Sequence, residues 1–88
     1  MLTKSFVITC PIGLHARPAS ILVTEAHGFK SNITIKYQDK EVPANSLIAV
    51  MTLGALTGES VELAISGEDQ EEAMARMEQF FENELQDL

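Results

Sequence analysis

Eighty-eight residues suffice for one small domain and not for two, and 45% apolar with 22% charged residues excludes a disordered or low-complexity chain. No apolar run approaches the roughly 18 residues of a membrane span, and the lone cysteine, Cys10, excludes an internal disulfide and a C-x-x-C zinc pair. The net charge of −7 argues against nucleic acid or anionic membrane as a partner; the excess lies in residues 68–88, where eight acids accompany one base, Arg76, while the first 67 residues are neutral.

Taken in chain order, Leu2 to Thr9 is rich in Thr, Phe, Val and Ile and predicts a strand with Phe6 and Ile8 on one face. Cys10-Pro11-Ile12-Gly13 is a loop, because proline and glycine two residues apart break a ladder. From Ala16 to His27 the residues Ala19, Leu22, Val23 and Ala26 recur at helical spacing. Pro18 is tolerated only in a first turn, which puts the helix start close to His15, and Gly28 is the expected stop. Asn32 to Tyr37 alternates, Gln38-Asp39-Lys40 is a hairpin turn, and Glu41-Val42 is a short strand ending before Pro43. Ser46 is the expected N-cap of a short helix through Leu53, with Gly54 beyond it. Ser60 to Ser66 alternates again, burying Val61, Leu63 and Ile65. Asp69 with Glu72 resembles a capping box opening a last helix, whose stripe is Met74, Met77, Phe81 and Leu85. The order βαββαβα predicts an α+β open-faced sandwich: a four-stranded antiparallel sheet with three helices on one face, spanning 1–88 as a single domain.

His15 is the residue best placed for chemistry. The bland reading is an indifferent N-cap. Against it, a helix N-terminus presents unpaired N–H groups and a partial positive charge, which together bind phosphate. The same field disfavours imidazolium and keeps the ring neutral and nucleophilic. Arg17 can clamp a phosphate through its guanidinium fork, and the N–H groups of Ala16 and Arg17 can cradle it.

Gly13-Leu14-His15-Ala16-Arg17-Pro18-Ala19 resembles the G-L-H-A-R-P-A signature of the HPr family, the histidine-containing phosphocarriers of the bacterial phosphoenolpyruvate:sugar phosphotransferase system. The likeness extends along the whole chain and includes a second segment, Asn45 to Gly54. It implies that His15 accepts a phosphoryl group on Nδ1 from enzyme I and passes it to A-type domains of sugar permeases. It further implies that Ser46 is phosphorylated by an ATP-dependent kinase, with a transcriptional regulator as a further partner. The carrier is then a phosphoprotein and not an enzyme by itself, since no general base or metal cluster neighbours His15. No cofactor and no metal are expected, and a monomer is. Asn45 stands where lysine is common in the family, and Thr24 and His27 where some relatives carry lysine. Docking is accordingly assigned to apolar Leu47, Ile48 and Met51 together with the cation Arg17. The absence of a charged n-region and long apolar h-region predicts a cytoplasmic protein.

His27 reads as a half-exposed histidine at a helix end, Cys10 as a small residue at a strand end, and Met74 and Met77 as core. The acids of the last helix read as a solvated face. Two other functions compete: a regulatory interaction protein working through the Ser46 surface, and a carrier in a nitrogen-type phosphotransferase relay. An unrelated small-ligand module stands behind both, because no surplus of cavity-lining apolar residues is present.

Overall fold

Four period-2 segments become four antiparallel strands in the computed structural model, which describes residues 1–88. The strands are β1 (Leu2–Val7), β2 (Asn32–Tyr37), β3 (Lys40–Pro43) and β4 (Ser60–Ser66), in the spatial order β1-β4-β2-β3. Phe6 lies opposite Val61, and Ile33 and Ile35 lie opposite Ile65 and Leu63, so one face of the sheet is continuously apolar. Against that face pack α1 (Ala16–His27) and α3 (Gln70–Gln79), with the short α2 (Leu47–Thr52) beside α1. The predicted α+β open-faced sandwich is the observed fold. No helix is long and apolar enough to cross a membrane.

Several boundaries differ from expectation for local reasons. β1 ends at Val7, not Thr9; beyond it, Ile8 still exchanges backbone bonds with Glu59 and Gly58. Lys40 belongs to β3, opposite Tyr37, so the hairpin turn is Gln38-Asp39 alone, with Gln38 at φ +56°. Pro43 sits inside β3, which an edge strand permits because no inward N–H is needed there. Gly28 does follow the last residue of α1, but in a right-handed conformation (φ −77°). α2 closes at Thr52, one residue before Leu53.

The capping box at Asp69 does not form. Its carboxylate makes no bond to the helix and instead accepts the N–H groups of Lys30 and Ser31, each at 2.9 Å, and the Ser31 hydroxyl. The bond from Ser31, followed by that from the Lys30 backbone, lowers the Asp69 carboxyl below its ordinary value of 3.8. A carboxylate lowered on folding stabilises the fold above its unfolded pKa and loses that contribution as pH falls through the folded one. Wild-type protein is therefore expected to melt above an Asp69→Asn variant at neutral pH, the gap narrowing in a melting series taken below about pH 4. A gap constant with pH would contradict this role.

The last helix carries the predicted stripe and two more core residues, Ala73 and Phe80. A spacing of four from Met77 to Phe81 to Leu85 drifts about 40° per step on a 3.6-residue helix. The chain answers with a wider π turn over Phe80–Glu84, then a 3₁₀ turn over Leu85–Asp87. Both phenylalanines are buried; Phe81 stacks on Phe6 of β1 with centroids 4.7 Å apart, and Phe80 meets it edge-on at 5.2 Å. Arg76, a lone base among acids in the sequence, bridges Glu25 of α1 at 2.9 Å and Glu84 at 2.9 Å, locking the two long helices together.

Candidate functional site

α1 begins where sequence places it. His15 is the N-cap in extended conformation, and its carbonyl accepts the first helical bond from Ala19. Its side chain caps nothing. The imidazole Nε2 is buried without a hydrogen-bond partner, whereas Nδ1, also unpartnered, is not buried. The ring thus presents one nitrogen to the outside and hides the other. Pro18 has no N–H, and the N–H groups of Ala16 and Arg17 meet no acceptor in the protein. Those two donors directly follow the histidine in the first turn, and Arg17 is exposed with no ion pair.

The loop before the helix is held by a second loop more than forty residues away. Gly13 has φ +88°, and a Cβ there would lie 2.8 Å from the Ala55 carbonyl oxygen. Only glycine permits that approach. Leu14 donates its N–H to the same Ala55 oxygen at 2.9 Å, and the His15 N–H donates to Gly13 O at 2.8 Å. The Cys10 thiol also donates to Gly13 O, at 2.8 Å, and the Thr57 hydroxyl donates to Cys10 O. Cys10 is fully buried, and burial pushes its thiol pKa up, which suits a packed brace and not a reactive thiolate. The second loop is anchored by Glu59, whose Oε1 accepts the Leu56 N–H at 2.8 Å and the Tyr37 hydroxyl at 2.6 Å. Those two bonds, Tyr37 first, hold the Glu59 carboxyl below its ordinary range.

Ser46 caps α2 as expected, its Oγ accepting the Ala49 N–H at 3.4 Å. Leu47, Ile48 and Met51 remain exposed on the outer side of that helix, Ile48 at 75%, while Val50 enters the core. Sequence reading missed two further exposed apolar residues, Ile12 (71%) and Leu56 (60%), one beside Gly13 in the chain and the other against it in space. The signal available for Leu56 was an apolar residue between two glycines, Gly54 and Gly58, both at positive φ. His27 is exposed and donates Nε2–H to the Asn45 carbonyl at 2.9 Å. Neither His15 nor Arg17 lines any of the molecule's three clefts; the largest, about 390 Å³, lies between His27, Lys30, Asn32 and Asn45. The histidine is therefore displayed on a surface instead of enclosed, and no cluster of metal-ligating side chains accompanies it.

Residues 2–83 match the family model described as the phosphorylation site of the PTS HPr component. The chain is 42% identical over 77 residues to the phosphocarrier protein HPr of Buchnera aphidicola subsp. Acyrthosiphon pisum (strain APS), covering 88% of this chain and 91% of that one. Its structure is similar to a crystal structure of HPr-C-His from Thermoanaerobacter tengcongensis, with a TM-score of 0.91, 35% identity, and coverage of 97% and 96% of the two chains. It is also similar to an HPr dimer from the same organism, with a TM-score of 0.76 and 38% identity over 83% and 84% of the chains.

Proposed function

The chain belongs to the HPr family of phosphocarrier proteins, and from that membership we propose that His15 takes a phosphoryl group on Nδ1 from enzyme I and passes it to A-type domains of sugar permeases. The observation that carries the choice of atom is the burial of Nε2, which leaves Nδ1 as the nitrogen a donor can reach. Transfer needs a lone pair on Nδ1, so the ring proton resides on Nε2. The bond from phosphorus to the donor breaks as the bond to Nδ1 forms, and no water takes part. The free N–H groups of Ala16 and Arg17 and the Arg17 guanidinium receive the phosphate oxygens at the positive end of α1. Residues 1–88 act as one carrier domain in the cytoplasm, and the displayed histidine suits a carrier whose partners bring the remaining catalytic groups.

Incubation with phosphoenolpyruvate and enzyme I, followed by intact-mass measurement, tests this directly. A single added phosphoryl group is expected, and no mass change would refute the reading. Arg17→Ala is expected to slow transfer about tenfold or more, below the roughly hundredfold cost of losing an enclosed charge-stabilising donor because Arg17 is exposed. An exposed, unpaired arginine costs the fold little, within about 0.5 kcal/mol; transfer at the wild-type rate would remove Arg17 from the clamp.

Docking falls to Leu47, Ile48 and Met51, now joined by Ile12 and Leu56 on the exposed side. Ile48→Asp is expected to weaken enzyme I binding in calorimetry while leaving the melting temperature nearly unchanged; marked unfolding would contradict its exposure. The carrier is read as a monomer, and sedimentation at working concentration separates that from a dimer like the Thermoanaerobacter tengcongensis one. Phosphorylation of Ser46 by a kinase, and contact with a transcriptional regulator, belong to the same reading.

A further inference from the structure

We propose that Glu59 is a positioning residue for His15, on the reading that His15 is the phosphoacceptor, and that it acts through the backbone of Leu56. The path is continuous. Glu59 Oε1 holds the Leu56 N–H, and the Glu59 N–H returns a bond to Leu56 O at 3.0 Å, so residues 56–59 close into a fixed turn. Gly13 rests on that turn at the Ala55 carbonyl and Leu56 Cα, and Leu14 donates to the same carbonyl. The His15 N–H is then bonded to Gly13. At the other end, Tyr37 is a buried residue of the inner strand β2, and its hydroxyl fixes the same Oε1. One carboxylate oxygen thus ties the turn that carries the histidine's loop to the inner strand β2, beside the backbone bonds of Ile8 with Gly58 and Glu59 and the Thr57 hydroxyl on Cys10 O.

The carboxylate is not required for the neighbouring strand pairing. That pairing is carried by backbone, Ile8 N–H to Glu59 O and Gly58 N–H to Ile8 O, both at 2.8 Å. The side chain restrains the turn alone. Because a single oxygen accepts both donors, Glu59→Gln retains the geometry without the charge, whereas Glu59→Ala leaves the Leu56 N–H without its partner.

Transfer rates to the two variants are measured with saturating phospho-enzyme I and separately with phosphoramidate, a small donor that needs no docking surface. Glu59→Ala is expected to lose about tenfold with both donors, since small misplacements of a reacting group are costly, and Glu59→Gln is expected to keep the wild-type rate. In NMR relaxation the Leu14 and His15 amides become mobile in the alanine variant only. Equal rates for Glu59→Ala and wild type, a loss confined to enzyme I, or a glutamine variant as slow as alanine would each overturn the proposal. Should Glu59→Ala not fold, Tyr37→Phe removes one of the two bonds and is expected to lose rate with both donors and to loosen the same amides; unchanged rate and relaxation would overturn it. Wild-type protein that takes phosphoryl from neither donor marks failure of the His15 reading, and the relaxation data then decide the role of Glu59 alone.

Discussion

His15→Ala is expected to take up no phosphoryl group, while wild-type protein gains one that is labile in acid and stable in alkali. The effect is complete because the substitution removes the accepting atom itself, and no second histidine shares the site: His27 stands at the other end of α1, bonded to Asn45. Unfolding does not offer another explanation. The His15 side chain makes no cap bond, and its buried Nε2 is unpartnered, so the alanine variant loses no hydrogen bond and leaves no partner stranded. Melting temperatures of the two proteins are expected to agree closely. Labelling of His15→Ala at the wild-type level would end the assignment.

Phosphorylation of Ser46 is expected to slow transfer from enzyme I by at least about tenfold while sparing the fold, since unfavourable charge at an interface costs several kcal/mol. The modification adds a charge of about −1.5 to −2 and three acceptor oxygens. Its site is the first residue before α2, where Oγ already accepts the Ala49 N–H, and oxygens at that position meet unpaired helix donors. Stability is therefore kept. The damage falls on association, because the charge arrives beside Leu47 and Ile48, whose exposed apolar surface is to be buried in the complex. Asn45, in place of the commoner lysine, supplies no neighbouring positive charge. Where the new charge also meets acidic groups on the partner, the repulsion acts over a screening length of about 8 Å at physiological ionic strength, so raising salt is expected to narrow the difference. Rates for phosphoserine-46 and unmodified protein across a salt series check this; equal rates at low salt would refute it.

Legibility in the sequence followed how far each feature reaches along the chain. The strands and α1 were readable because periods of 2 and 3.6 express one buried face per element, and α1 came out at Ala16–His27 as expected. Pro18 located the start of that helix, and with it His15, from local chemistry alone. Seven consecutive residues, Gly13 to Ala19, were enough to suggest the family. By contrast, Asp69 was misread from a local pattern. Its spacing to Glu72 satisfied a capping box, yet the stronger donors, the N–H groups of Lys30 and Ser31, came from nearly forty residues earlier.

By itself, then, the sequence determined the order of elements, the inward faces, and the histidine-arginine pair at a helix start, all of which depend on near neighbours. Tertiary structure alone decided which imidazole nitrogen is open, why residue 13 is glycine, and that Ile12 and Leu56 stay exposed near the histidine. It also decided that Glu59 and Tyr37 support the loop from below, and that Arg76 joins α1 to the end of the chain. The physical reason is common to these cases. Each depends on two segments brought together only when the sheet closes, and a backbone carbonyl or N–H that meets its partner across that closure has no side-chain identity for a sequence to display.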